Sequence, residues 1–440
     1  MHRFFMIYRG LAALTGLSVV AALATPAQAR AGDLDTGFGN AGKVTTDYAG
    51  AFDEGRGLVL QSDGRIVVAG EAQNPTTGRD FSVTRYRTDG TLDASFGTGG
   101  KVSTDFGADF DIAFDTAVQP DGKVVAAGIS GTGADPASFD VAVARYRPDG
   151  SLDPSFGAGG RVTTDFAGDD DEAYAVGVQT DGRIVVAGFA TTGAGLDFAL
   201  VRYRADGSLD PSFGAGGRVT TDFAGGDDNA FGLAIQSDGR IVVAGVAVNA
   251  RTDGDFALVR YRADGSLDPS FGAGGRVTTD FAGGYDEADG LSIQGDGRIV
   301  VSGGRDLVED TSGAFALARY QANGSLDTSF GAYGKVTTEF TGGLDQAYAV
   351  TVQPDGRIVA AGAAAFVLNV SGDFALARYR ANGSLDPAFG TGGTVVTDVA
   401  GTFDNAFDVA IQADGKIVAT GEANASPDDR DIALVRYLKN

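Results

Sequence analysis

The 440-residue chain has no cysteine, no tryptophan and a single histidine, His2. Past residue 2 there is neither imidazole nor thiol, so Ser-His-Asp and Cys-His mechanisms are excluded. Zinc sites built on histidine or thiolate go with them. Reactive groups are therefore confined to carboxylates, Tyr, Lys, Arg, hydroxyls and the backbone. With no disulfide to form, the chain is indifferent to the redox state of its compartment. No P-loop is present, and no G-x-G-x-x-G stands between a strand and a helix. Positive charge is scarce, with 34 Lys+Arg against 58 Asp+Glu. A surface this acidic repels phosphate backbones and anionic lipid, so neither nucleic acid nor a membrane surface is an expected partner. Glycine, at 68 residues, is about twice the usual usage. It lacks a G-X-Y period, which rules out collagen. The 43% apolar content is too high for a disordered chain.

The first 29 residues read as an export signal. Arg3 and Arg9 form a basic start, 11–24 is an apolar run too short for a good membrane span, and Ala27-Gln28-Ala29 is an A-x-A cleavage site. There is no twin arginine and no lipobox cysteine. The expectation is general secretion to the periplasm or medium, with no membrane insertion after cleavage. Losing Arg3 and Arg9 leaves 32 basic against 58 acidic residues, a net charge of −26.

The rest is one repeated unit. L-D-x-x-F-G begins at Leu34, Leu92, Leu152, Leu209, Leu267, Leu326 and Leu385, at spacings of 57 to 60 residues. Such a period signals a repeat architecture. In one unit, 218–223 (RVTTDF) alternates as a half-exposed strand and 229–236 (NAFGLAIQ) is a small apolar strand. Asp238-Gly239 marks a tight turn, 240–245 (RIVVAG) is a strand buried on both faces, and 256–261 (FALVRY) is a fourth strand. Four antiparallel strands repeated seven times predict an all-β, seven-bladed β-propeller over 30–440, as a single domain. The chain ends R-Y-L-K-N and the unit after the signal starts G-D-L-D, which together restore the internal R-Y-x-x-[DN]-G-x-L-D. The strand at 43–48 is therefore expected to complete the blade of 405–437, closing the ring. A monomer is expected.

The unit F-G-x-G-G-[KR]-V-T-T-D-F … Q-x-D-G-[KR]-I-V-x-A-G … D-F-A-L-x-R-Y resembles the bacterial delta-60 repeat. The resemblance covers essentially all of 32–438 and implies a β-propeller of an exported protein. It implies no particular activity. Ile432 and Val399 depart from the pattern, each in place of Phe.

Propeller topology places the constant D-G turns on one face. On the other lie the blade-to-blade connections and the varied segments 71–80, 129–138, 189–197, 246–255, 304–314, 363–373 and 422–431. Variable segments on a rigid scaffold are where recognition sits, although exposed loops also drift neutrally. Asp53, Asp111, Asp171, Asp228, Asp286, Asp345 and Asp404 share one position ahead of the innermost strand. They are expected to ring the channel mouth, either as a funnel for cations or as acceptors for backbone amides of their own turns. The residue before each varies. Phe52, Phe110, Tyr285 and Phe403 suit a sugar ring there, or they plug gaps between blades. For calcium, the densest acidic cluster is Asp165, Asp169, Asp170, Asp171 and Glu172, followed by Asp227 with Asp228. None follows an EF-hand or β-roll spacing, and a solvated acidic loop is the simpler reading; no cofactor is otherwise expected. Arg-Tyr closes the third strand at Arg85, Arg145, Arg202, Arg260, Arg319, Arg378 and Arg436. Ion pairs with the acid after T-T (Asp47, Asp105, Asp165, Asp222, Asp280, Glu339, Asp398) are expected to be structural. The functional expectation is a non-catalytic binding module for a glycan or an envelope or extracellular protein. The alternatives are a carboxylate-based glycosidase or lyase, for which Asp289 and Asp306 are carboxylates found in one repeat only, and a purely structural envelope protein.

Overall fold

The structure, a computed structural model, describes residues 29–440 except 49–51, 133–137, 167, 194, 224, 250–251, 282, 306–312, 341–342, 368–370, 402, 427–428 and 440. The predicted export signal up to residue 28, and Asp306, lie outside the described residues. Every named element among the described residues is a strand, and no helix is long and apolar enough to cross a membrane.

Seven four-stranded antiparallel blades follow one another. Blade four shows the plan: Asp228–Ile235 innermost, then Ile241–Asn249, Thr252–Tyr261 and Arg276–Thr279. The second strand is buried on both faces because it is a continuous apolar run, with Ile241 and Val243 facing one neighbouring blade and Val242 and Ala244 the other. Val242, Ala244, Phe256 and Leu258 of blade four pack against Ala288, Ile299, Val301, Ala316 and Tyr320 of blade five. A comparable apolar cluster fills each seam, so no blade buries its faces alone.

The chain's two ends share blade seven. Lys43–Thr46 pairs antiparallel with Asp429–Tyr437, in the register Lys43↔Val435 to Thr46↔Ile432. Gly32 N donates to Leu438 O at 2.9 Å, and Leu438 N donates back to Asp33 O at 2.8 Å. Closure occurs where the sequence places it, through a strand two residues shorter than expected.

The varied segments correct the expectation of loops. In blade four the second and third strands keep pairing beyond Val246, with Ala247 opposite Asp255 and Asn249 opposite Thr252. In blade one the ladder runs on to Asn74 opposite Gly78. Among the described residues the face is therefore built largely of strand ends, because an antiparallel ladder satisfies backbone groups that a long loop would leave to water.

Candidate functional site

Each blade carries the same clasp on the D-G face. Arg85 Nε donates to Asp93 at 2.9 Å, Nη2 to Ser95 Oγ at 3.1 Å and Nη1 to Pro148 O of the next blade at 2.6 Å, while its guanidinium lies 4.6 Å above Phe96. Arg436 closes the circle, bonding Asp35 at 2.8 Å and the carbonyl of Thr88 in blade one. This corrects the expected pairing. The arginines take the Asp of L-D-x-x-F-G rather than the acid after T-T. The backbone explains why: Asp93 N donates to Arg85 O, which docks the motif directly on the arginine. Grooves of about 540–780 Å³ between successive D-G turns and seams recur from blade to blade and belong to this architecture.

The seven ring aspartates follow the second of the two expectations, as buried acceptors for backbone amides of their own turns rather than an exposed funnel. Asp53, Asp111, Asp171, Asp228, Asp286, Asp345 and Asp404 are at most 1% exposed. Each accepts the backbone N–H five residues earlier, from Tyr48, Phe106, Phe166, Phe223, Phe281, Phe340 and Val399, at 2.5–2.7 Å. Burial lifts Asp53, Asp111, Asp171 and Asp228 to about 6.

These aspartates gather other carboxylates instead. Asp80, Asp105 and Asp111 place one oxygen each within 4.8 Å of one another. The same holds for Asp140, Asp165 and Asp171, for Asp197, Asp222 and Asp228, for Asp255, Asp280 and Asp286, and for Asp47, Asp53 and Asp431. One acid opens the third strand, one follows the fourth, and one opens the first strand of the next blade, so each trio spans a seam. Of the sequence's acidic cluster, Asp165 and Asp171 join such a trio. Asp169, Asp170 and Glu172 do not: Asp169 is exposed, Asp170 accepts Phe139 N at 3.1 Å, and Glu172 accepts the Tyr174 hydroxyl. Asp227, likewise outside the trios, accepts Leu196 N at 3.1 Å.

The aromatic rim is occupied. Phe52 sits between Arg79 and Arg430, whose guanidiniums lie 4.3 and 4.5 Å from its ring. Phe110 meets Arg79 at 5.5 Å and Phe403 meets Arg430 at 5.6 Å, while the Tyr285 hydroxyl donates to Glu287 at 3.0 Å. Sequence reasoning missed the ion network beneath. Arg56 pairs with Glu54 (2.6 Å) and Glu71 (3.2 Å), Arg79 with Glu71 (3.0 Å), and Arg430 with Glu54 and Glu422 (both 2.8 Å). Burial and the neighbouring Glu54 push Glu422 up to about 8. Burial opposes ionisation of Glu54 too, but the Arg56 and Arg430 charges hold it below its ordinary value. The available signal was that Glu71 and Glu422 stand where other repeats have Ile129, Phe189 or Val246.

The channel itself is lined by a position the periodicity hides. Every innermost strand carries a register slip, leaving one residue without a partner in six blades and Ala347 together with Tyr348 in blade six, and one residue of each slip turns to the axis. These residues are Arg56, Phe114, Tyr174, Phe231, Asp289, Tyr348 and Phe407. They surround a cavity of about 200 Å³. Neighbouring rings meet tilted or edge-on at centroid distances of 4.7 Å (Phe114–Tyr174), 5.2 Å (Tyr174–Phe231) and 5.4 Å (Tyr348–Phe407), and Arg56 lies 4.9 Å from Phe114. Asp289 comes from blade five, across the ring from Arg56 in blade one. It is hydrogen-bonded to Glu287 and accepts Gln346 Nε2 at 3.0 Å; burial, then the Glu287 charge, raises it well above the ordinary range.

No curated protein is recognisably similar to the chain in sequence. Among solved structures, a catalytically inactive virginiamycin B lyase from Staphylococcus aureus, bound to quinupristin, matches with a TM-score of 0.52 and 10% identity over 89% of this chain and 98% of that one. A protein of unknown function from Dyadobacter fermentans (TM-score 0.48, 13% identity, 92% and 100% covered) and the polysaccharide lyase Uly1 (0.48, 12%, 88% and 90%) are also similar. The lyase from Staphylococcus aureus, at such low identity, speaks for the propeller fold alone. The family described as a domain of unknown function (DUF5122) beta-propeller matches residues 61–96, 119–156, 179–213, 236–271, 294–330, 353–389 and 412–440. With seven matches that take in more than half of its residues, one in each repeat, the chain belongs to this family of repeat β-propellers.

Proposed function

We propose that the protein is an exported, non-catalytic binding module whose ligand enters the channel from the face opposite the D-G turns. The observation that carries this is the axial ring of Arg56, Phe114, Tyr174, Phe231, Asp289, Tyr348 and Phe407. There, seven near-identical blades become chemically unlike one another. A cavity of about 200 Å³ is below the roughly 300 Å³ at which drug-sized sites begin. It suits one ring-sized group. Aromatic walls with an arginine on one side and a carboxyl on the other match a sugar, which stacks on its apolar face and hydrogen-bonds at its edge. The ligand class is thus a glycan, with one residue held on the axis.

The enzyme reading has one observation behind it, the axial carboxyl Asp289. Its geometry is unsuited to glycoside cleavage. Glycosidases hold two carboxyl groups about 5–10 Å apart, whereas Asp289 and Glu287 are hydrogen-bonded to each other. Tyr174 is a poor base for a lyase, since burial and the adjacent Glu172 push its hydroxyl up out of working range. The inactive virginiamycin B lyase is named for a histidine-to-alanine change, and this chain's one histidine is His2.

The test is calorimetric titration of the 30–440 chain with oligosaccharides from bacterial envelopes and culture medium. A saturable glycan signal that falls at least about tenfold in Tyr348→Ala supports the reading, as expected for a buried aromatic anchor. Binding that ignores Tyr348→Ala moves the site off the axis. Absence of glycan binding leaves an envelope or extracellular protein as the partner to seek. Release of unsaturated sugar would establish the lyase alternative.

A further inference from the structure

We propose that the Asp trios are divalent-cation sites, one at each of six blade seams, and that the seventh seam carries a built-in cation, Arg305, in place of the ion. Calcium is the ion we assign, because carboxylate oxygens with water completing the shell are its usual donor set. Two oxygens on one Ca²⁺, each at about 2.3–2.6 Å, stand no more than about 5 Å apart. The trio oxygens lie within 4.8 Å of one another at five seams, and at the sixth Asp373 and Asp404 each feel the charge of Asp398.

Two independent observations point to a cation. The first is an unanswered oxygen. Asp80 is 2% exposed and its Oδ2 accepts Asn74, Thr77 and Ser103, yet its Oδ1 has no hydrogen-bond partner among the described residues. Asp171 Oδ1 is in the same position in the Asp140–Asp165–Asp171 trio. Neither of these two trios forms an ion pair with Lys or Arg among the described residues. Asp80, Asp111 and Asp171 are buried, Asp105 and Asp140 are half-buried and Asp165 is exposed, and buried carboxylates held close to others without a counter-charge are costly.

The second observation lies in the repeat itself. In six blades the acid of the third strand faces a small residue of the second: Ala72↔Asp80, Ser130↔Asp140, Ala190↔Asp197, Ala247↔Asp255, Ala364↔Asp373 and Ala423↔Asp431. In blade five the same register pair is Arg305↔Ala314. The acid after T-T is there lengthened to Glu339, and Arg305 Nη2 reaches it at 3.3 Å. The buried Asp345 remains at the start of the next blade. One blade has thus lost an acid, gained a guanidinium and lengthened a second acid to meet it. A positive charge is what that position holds when the third carboxylate is gone. The remaining calcium ligands would be water and further carboxylate oxygens, since three carboxylates supply three to six oxygens of the six to eight required.

The experiment is calorimetric titration of metal-stripped 30–440 chain with calcium up to millimolar concentrations, where extracellular sites work, with thermal melts in chelator and in calcium. The expected result is saturable binding at about six equivalents and a higher melting midpoint in calcium. Asp105→Asn, at a half-buried position, should remove one equivalent. The triple change Arg305→Ala, Ala314→Asp and Glu339→Asp should add one. Absence of saturable binding with an unchanged midpoint overturns the proposal, and so does a count that Asp105→Asn leaves untouched. If the triple variant loses its strand circular dichroism, the Asp105→Asn count decides alone.

Discussion

At the scale of single residues, the arginine of R-Y shows what repetition does and does not reveal. Its presence in every repeat marks it as architectural, and it is. Its partner was misread because strand adjacency suggested the acid after T-T. The backbone instead delivers the L-D aspartate, some eight residues downstream, directly beneath it. Arg202 illustrates the consequence. It is 4% exposed, bonds Asp210 at 2.9 Å, donates to the Ala263 carbonyl of the next blade and stacks 4.5 Å over Phe213. Arg202→Ala leaves Asp210 with Arg183 at 2.9 Å and Ser212 as its remaining partners, and the expected loss is about 1.5–3 kcal/mol, read by urea denaturation. Arg204, half-exposed and 3.9 Å from the same carboxylate, is the control; Arg204→Ala should cost no more than about 0.5 kcal/mol. Equal effects would mean that the clasp contributes nothing particular.

At the scale of the strand, the blade plan was legible because its signals are local: D-G at each hairpin, alternation in the outer strand, a β-branched run in the buried one. The register slip was not legible, since an unpaired residue leaves the hydrophobic pattern of a short strand unchanged. The axial residues were therefore missed as a set, although Asp289 was noticed as a carboxylate without counterparts. One trace of the slip is in the sequence after all. The glycine of I-V-x-A-G recurs in every second strand because a Cβ on Gly245 would meet Asn229 O at 1.9 Å, where the slipped first strand presses inward. The requirement is close approach, not a positive φ. Gly245→Ala should force the inner strand away, cost upward of about 2 kcal/mol in denaturation and disturb Phe231, the residue that this slip turns to the axis. A cost within experimental error would show that the slip yields freely and that the axial ring is not held by it.

At the scale of the whole molecule, the ring concentrates acid at its seams, and this sets a pH dependence of unusual sign. Burial lifts Asp53, Asp111, Asp171 and Asp228 to about 6, Asp115 to about 7 and Asp408 to about 8. In the unfolded chain such groups titrate near 3.9. The folded ring therefore binds protons more tightly than the unfolded chain between about pH 4 and pH 8, and metal-free stability rises as the pH falls through that window. The clasp aspartates behave oppositely. Burial would raise Asp93, Asp153 and Asp210, but serine hydroxyls, backbone amides and arginines outweigh it and hold them below the ordinary value. Their contribution is present above about pH 4 and is lost below it. In chelator, the melting midpoint should thus be higher at about pH 5 than at about pH 7.5, and should collapse under about pH 4. Calcium competes with protons for the seam carboxylates, so its stabilisation should be larger at about pH 7.5 than at about pH 5, flattening the profile between them. A chelated protein more stable at the higher pH would mean that the seams carry their charge at no cost, and that neither proton nor ion is needed to hold the blades together.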